Sequence, residues 1–278
     1  MRRRTAPGLL AAAVLLAACG GGSDQADSPL SEDAFAVRAS SDLAVGSERL
    51  LIGIGGPGGG RLGSPDLAVE FEVFPEDDPE AAQRVPATFM WAIPDVSGLY
   101  RATVQFDRPG VWLARVIPSG GAPLEEIPVL VAEAPQTPAV GSPAPASETP
   151  TAADLPIRQI STDPDPDPRF YELSLADAVR SGRPTVVVFA TPKFCTSAVC
   201  GPTLDDVKAV AARYPDVNWV HVEVFTNLDD PDNLQYVPAV AEWNLPSEPW
   251  VFVVDAGGDI AARFEGVVSQ EELVELLG

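Results

Sequence analysis

Between residues 135 and 168 the chain carries nine prolines (135, 138, 143, 145, 150, 156, 164, 166 and 168) in 34 positions, interleaved with Ala, Ser, Thr and Asp. Each proline removes a backbone donor and fixes φ, so this stretch builds neither a helix nor a strand ladder and favours extended polyproline conformations. It reads as a semi-rigid linker over 134–168 that splits the chain into two parts with different grammar. At 278 residues, and with roughly 100 to 200 residues per domain, each part is long enough to bury its own core.

The part before the linker, 34–133, is strand-like. Apolar runs at Leu50 to Ile54 and Val69 to Phe74 are separated by turn chemistry: Gly55-Gly56-Pro57-Gly58-Gly59-Gly60, then Pro75-Glu76-Asp77-Asp78-Pro79. Leu99 to Phe106 and Val111 to Ile117 flank Asp107-Arg108-Pro109-Gly110 and predict a hairpin. Tyr100, Ala102, Val104 and Phe106 share one face of its first strand, and Trp112, Ala114 and Val116 one face of its second. This pattern predicts a small all-β, immunoglobulin-like sandwich.

After the linker, over 169–278, strands alternate with helices. Ser174-x-x-Asp177 caps a short helix that stops at Gly182. Thr185 to Ala190 is a continuous apolar run that predicts a strand buried on both faces. Leu204, Val207, Val210 and Ala211 have helical spacing in a helix expected to start at Pro202 or Thr203. Trp219 to Phe225 predicts a strand, Val237 to Trp243 a helix, and Trp250 to Asp255 with Ile260 to Phe264 a hairpin around Gly257-Gly258. Ser269-x-x-Glu272 opens a last helix with Leu273, Leu276 and Leu277 as its apolar residues. The fold class is therefore α+β multidomain, an all-β sandwich followed by a mixed sheet covered by helices.

Composition excludes several classes. With 46% hydrophobic and 21% charged residues the chain is not of the disordered type. A net charge of −22 repels nucleic acid and anionic lipid alike. Asp229-Asp230-Pro231-Asp232-Asn233 lacks the Gly and spaced Glu of a calcium loop and reads as a solvated acidic turn. No metal and no cofactor is implied.

At the N-terminus, Arg2, Arg3 and Arg4 precede the apolar run Leu9 to Leu16, which is too short to span a bilayer comfortably. Leu16-Ala17-Ala18-Cys19-Gly20 follows, and it resembles the lipobox of bacterial lipoproteins. The resemblance implies a signal peptide at 1–18, lipidation of Cys19, a flexible tether over 19–33 and an extracytoplasmic place on the cell membrane, with the lipid as the only anchor. An ordinary secretory peptide with an incidental Cys is the other reading, and in both the chain leaves the cytoplasm. Removing residues 1–18 takes away three Arg and no acid, which moves the net charge from −22 to −25.

Cys195 and Cys200 remain, an even pair in a compartment where disulfides persist. Five residues apart on a helix they would differ in direction by about 140°, so Cys195 must sit in a loop or a distorted first turn for the two to bond. A sulfur near a helix N-terminus faces free N–H groups and the positive dipole end, and Lys193 adds a nearby charge. Such settings lower a thiol pKa from about 8.5 to about 3.5–7.5, the condition for exchange. A purely structural bridge remains the alternative from spacing alone.

The order strand, Cys-containing turn, helix, strand, helix, then Leu245-Pro246-Ser247-Glu248-Pro249-Trp250, resembles the thioredoxin superfamily over residues 169–278. The resemblance implies a redox-active disulfide at Cys195 and Cys200, a cis-proline at Pro249 that shapes the groove for a partner chain, and an oxidoreductase acting on extracytoplasmic protein thiols and disulfides. Glu248 and Pro249 are then the substrate-positioning residues. Two features depart from the family: four residues separate the cysteines instead of two, and Thr185 to Ala190 carries no buried carboxylate. Glu223 or His221 on the next strand are the candidate substitutes, with Lys193 as a further tuner of the thiol. Thr-Pro-x-x-Cys-Thr-x-x-x-Cys-Gly also resembles the atypical two-cysteine peroxiredoxins, in which the first Cys attacks peroxide and the second resolves it. Those enzymes carry an Arg where this chain has Glu248. Sco-type copper chaperones share the fold, but they pair Cys-x-x-x-Cys with a distant His, a pattern that His221 does not match.

Overall fold

The structure is a computed structural model and describes residues 30–278. The expected leader at 1–18, the lipidation of Cys19 and the tether as far as residue 29 lie outside the described residues. The described chain is mostly β, with one large curled sheet, a smaller mixed sheet and few helices.

The first part holds β1 (Phe35–Arg38), β2 (Leu43–Ala44), β3 (Gly46–Gly56), β4 (Gly60–Arg61), β5 (Val69–Pro75), β6 (Gln83–Ile93), β7 (Ser97–Phe106), β8 (Gly110–Pro118) and β9 (Ile127–Ala132). They form a nine-stranded sheet in the order β1-β3-β7-β6-β5-β8-β9-β2, with β4 on β3. β6 produces the curl. Its residues Gln83 to Ala87 pair with β5, and Thr88 to Ile93 pair with β7, so one strand passes from one layer to the other. Leu50, Ile52, Phe71, Val73, Val104 and Trp112 fill the space between the layers. Each contributes roughly 1.5–3 kcal/mol by leaving water.

The predicted hairpin of β7 and β8 does not form. β7 pairs with β3 and β6, whereas β8 pairs with β5 and β9, so Asp107 to Pro109 is an arch between layers. The alternation was read correctly, because Tyr100, Ala102, Val104, Phe106, Trp112, Ala114 and Val116 are all buried. Their faces meet across the core instead of lying side by side, with the Phe106 and Trp112 rings edge to face at 5.1 Å.

The second part holds α1 (Leu175–Arg180), β10 (Thr185–Ala190), α2 (Cys200–Ala211), β11 (Asn218–Glu223), β12 (Phe225–Thr226), β13 (Gln235–Tyr236), α3 (Pro238–Glu242), β14 (Trp250–Val254), β15 (Ile260–Glu265) and α4 (Gln270–Leu277). A four-stranded sheet runs β11-β10-β14-β15, with β10 parallel to β11 and antiparallel to β14. Alternate residues of β10 point to opposite layers. Val186, Val188 and Ala190 meet the α2 and α4 side with Leu204, Val207 and Leu273, while Val187 and Phe189 meet Leu175, Val179 and Trp243 on the α1 and α3 side. Helices on both faces explain why the strand is apolar throughout.

Both predicted caps form: Ser174 Oγ accepts from Asp177 N, and Ser269 and Glu272 make a reciprocal capping box. Two details differ from the sequence reading. α2 starts at Cys200, earlier than Pro202 or Thr203, since Pro202 falls in a first turn whose N–H groups have no helical partner in any case. Leu276, assigned to the apolar face of α4, is 45% exposed while Leu273 is buried.

The proline-rich segment is laid against the second part and does not stand free as a spacer. Gly141 N donates to Ile260 O, Ile260 N to Ser142 O, and Ala144 N to Gly258 O. Further on, Leu175 N donates to Thr149 Oγ1, and Ala152 N to Tyr171 O. The two parts also touch directly. Leu51 and Met90 of the curled sheet pack with Val267, and Arg49 pairs with Glu272 at 2.7 Å. Arg263 Nη1 reaches Asp42 Oδ2 at 2.7 Å, and its Nη2 reaches Glu48 Oε1 at 2.8 Å.

Candidate functional site

The site is built at the C-terminal end of β10. Beyond Ala190 the chain turns, with Cys195 N donating to Thr191 O at 3.0 Å and Ala198 in a left-handed conformation at φ 61. That turn brings Cys195 back to the start of α2, where the disulfide to Cys200 spans a Cα separation of 6.0 Å. The two sulfurs have different surroundings. Cys200 is fully buried in the core between sheet and helices, and Cys195 is half-buried against the same cluster. Cys195 Sγ accepts from Cys200 N at 3.4 Å and lies 3.2 Å from Ser197 Oγ.

Beside this turn stand His221 and Glu223 at the end of β11, the latter in register with Ala190. His221 Nε2 lies 3.1 Å from Ala190 O, and its Nδ1 lies 2.8 Å from the Tyr171 hydroxyl, which is 2.9 Å from Ser161 Oγ. With Nε2 donating to the carbonyl, Nδ1 is left as an acceptor facing two hydroxyls: Tyr171 donates to Ser161 Oγ, and Ser161 Oγ lies 3.3 Å from Nδ1. Burial lowers the imidazole pKa to about 4, with the Ala190 carbonyl only partly offsetting it.

Glu223 is also buried, and burial pushes its carboxyl up against the opposing help of Thr162. Thr162 N and Oγ1 donate to Oε2 at 2.8 and 2.6 Å. The Thr191 hydroxyl lies near enough to moderate the shift, but short of hydrogen-bond geometry: Glu223 Oε1 and Thr191 Oγ1 are both buried without a partner. Thr162 Oγ1 also accepts from Lys193 N at 3.2 Å, which ties the cysteine turn to the proline-rich strap.

Lys193 does not direct its charge at the sulfurs. Its side chain is exposed, with Nζ over the Phe194 ring at 5.0 Å. The Glu248-Pro249 bond is cis, and Pro249 is buried just before β14. Since Trp250 pairs with Phe189, the same register sets Pro249 alongside Ala190, at the root of the cysteine turn. Glu248 is half-buried beside it.

The sequence reading missed Ser161, Thr162 and Tyr171, which hold His221 and Glu223. A usable signal existed for the first two: a Ser-Thr pair of hydroxyls just before the run of alternating Asp and Pro at 163–168 offers donors that can anchor the segment. Among the described residues, no group of three or more His, Cys, Asp or Glu is arranged to hold a metal ion, and no helix is long and apolar enough to cross a membrane. Compared with protein-family models, curated proteins and solved structures, the chain matches none.

Proposed function

We propose that the chain is an extracytoplasmic, lipid-anchored thiol-disulfide exchange protein, with an immunoglobulin-like first part and a thioredoxin-like second part that carries the reacting pair Cys195 and Cys200. The observation that carries this reading is the asymmetry of the disulfide. One sulfur is half-buried on a turn with two donors at it, and the other is enclosed at the first residue of a twelve-residue helix.

In the reduced form, the Cys195 thiolate attacks one sulfur of a partner disulfide. A Cys195-to-partner bond forms and the partner's other sulfur leaves as thiolate. Cys200 then attacks Cys195 Sγ, the intramolecular disulfide closes, and the second partner sulfur leaves. The partner gains two electrons, the pair loses two, and a dithiol protein returns them. Cys200 N–H, the Ser197 hydroxyl and the N-terminal end of α2 favour the charged sulfur at Cys195. Cys200 must lose a proton before it attacks, and the partner thiolates released take protons up.

The test is the reduction potential of the pair, by thiol trapping in redox buffers. A value between about −120 and −270 mV supports exchange, and one below about −300 mV indicates an inert structural bridge. With Cys200→Ser, a disulfide-bonded model protein should accumulate as a mixed disulfide on Cys195. Consumption of peroxide by the reduced protein, without such adducts, would favour the peroxidase alternative.

A further inference from the structure

On the Glu248 side of the cis-proline lies a cavity of about 280 Å³, lined by Tyr236, Val240, Leu245, Pro246, Ser247 and Glu248 among others. Glu248 is the one charged side chain on its wall, and no hydrogen bond or ion pair to it is formed among the described residues. Burial pushes its carboxyl up, and no neighbouring donor offsets the effect. An acceptor that has lost water without gaining a donor favours an incoming cation.

The cavity is joined to the cysteine turn by two independent links. Along the backbone, Glu248 adjoins Pro249, which the β10–β14 register sets at the root of that turn. Across the surface, Phe194, the neighbour of Cys195, contacts Phe225 at 6.3 Å, and Phe225 contacts Tyr236 at 4.8 Å. The path from Phe194 to the cavity wall therefore equals three or four residues of extended chain, at about 3.3 Å per residue. Tyr236 is 62% exposed and offers a ring face to an aliphatic stem or a cation. Asp229, Asp230 and Asp232, all exposed, sit in the loop between β12 and β13, and the whole chain carries −22. Lys193 is the single basic residue of the cysteine turn, and its ammonium is occupied over Phe194.

We infer that this groove selects client proteins by a Lys or Arg a few residues from the reacting cysteine: the cation pairs with Glu248 while the intervening chain lies along Phe194, Phe225 and Tyr236. The inference rests on the exchange reading and names the class of client that reading leaves open.

The experiment uses the full chain with Cys200→Ser, so that Cys195 is the reacting thiol. Short peptides carry one Cys as a mixed disulfide with thionitrobenzoate and differ only in a Lys, Gln or Glu a few residues away. Attack by Cys195 on the peptide sulfur releases the coloured thiolate, which gives the rate. The Lys peptide should react roughly five- to tenfold faster than the Gln peptide at low salt. That ratio should shrink at an ionic strength of about 0.5 M. Adding Glu248→Gln should bring the ratio to about one, and Glu248→Lys should reverse the order in favour of the Glu peptide. A ratio near one in the parent, or one that survives Glu248→Gln, overturns the selectivity and leaves exchange standing. If Cys195 attacks none of the peptides faster than free glutathione does, the exchange reading falls and the selectivity falls with it.

Discussion

His221 is the only histidine in the chain, so one substitution removes one titration and one spectroscopic signal. The ring is enclosed, and both its nitrogens are satisfied in the neutral form, by Ala190 O and the Tyr171 and Ser161 hydroxyls. A second proton would have to be placed on Nδ1, the acceptor that faces the Tyr171 and Ser161 hydroxyls. Burial accordingly lowers the pKa from 6.5 to about 4. Above pH 6.5 the folded and unfolded chains both hold the ring neutral, and it contributes no pH dependence. As pH falls from 6.5 toward 4, the unfolded chain binds a proton that the folded chain refuses, and stability is lost. The slope is about 1.4 kcal/mol per pH unit, which accumulates to roughly 3 kcal/mol over that window. Urea unfolding of the native chain and of His221→Gln, at about pH 7 and about pH 4.5, reads the difference. The variant starts less stable because it loses packing, but the gap should close by about 2–3 kcal/mol in acid. The imidazole C–H resonance gives the folded value directly. A folded ring that titrates near its unfolded value of about 6.5, or an equal acid loss in both proteins, refutes the reasoning.

Two further outcomes concern the packing of the parts. Arg263 and Asp42 have side chains only 8% and 6% exposed, so removing either leaves a buried charge. A double-mutant cycle with Arg263→Met and Asp42→Asn should give a coupling of about 2–4 kcal/mol, and a coupling under about 1 kcal/mol would mean that solvent already screens the pair. A Cβ on Gly98 would lie 2.1 Å from the Phe89 ring, so Gly98→Ala should cost roughly 1–3 kcal/mol in unfolding free energy. Phe89→Leu in the same chain should recover much of that cost. An equal loss in both backgrounds would move the cause from the ring to the backbone.

Legibility in the sequence followed the range of the interactions. The caps at Ser174 and Ser269 are settled within four residues, and both were readable. The two-sided burial of Thr185 to Ala190 was readable because a strand between two helical layers has no polar face. The arch from β7 to β8 was not, since a short Pro-Gly connection serves equally for strands that pair and for strands that stack, and the choice lies with β3, β5, β6 and β9. At the site, a helix close behind Cys200 and a strand directly after Pro249 follow from local pattern, although that helix begins two or three residues earlier than the pattern put it. The direction of Lys193 does not, because its partner is the Phe194 ring and a surface side chain carries no pattern for that.

The proline-rich segment shows how composition misleads when it is read as flexibility. Proline withholds a donor but keeps its carbonyl, and it lowers the entropy lost on ordering, so such a chain docks well wherever a surface supplies N–H groups. Ala176 N and Leu175 N at the start of α1 meet Ser147 O and Thr149 Oγ1 in this way. Two polar residues of the segment fix it over the site. Thr162 gives both its N–H and its hydroxyl to Glu223 Oε2, and Lys208 pairs with Asp163 at 2.8 Å where the strap crosses α2. His221 and Glu223 are therefore shielded by a segment outside the α/β layers. Thr162→Val removes the hydroxyl that opposes the burial shift and the acceptor of Lys193 N, so the Glu223 carboxyl should titrate higher still in the variant, read by the carboxyl carbon resonance across a pH series; an unchanged titration would mean that the strap hydroxyl does not hold it.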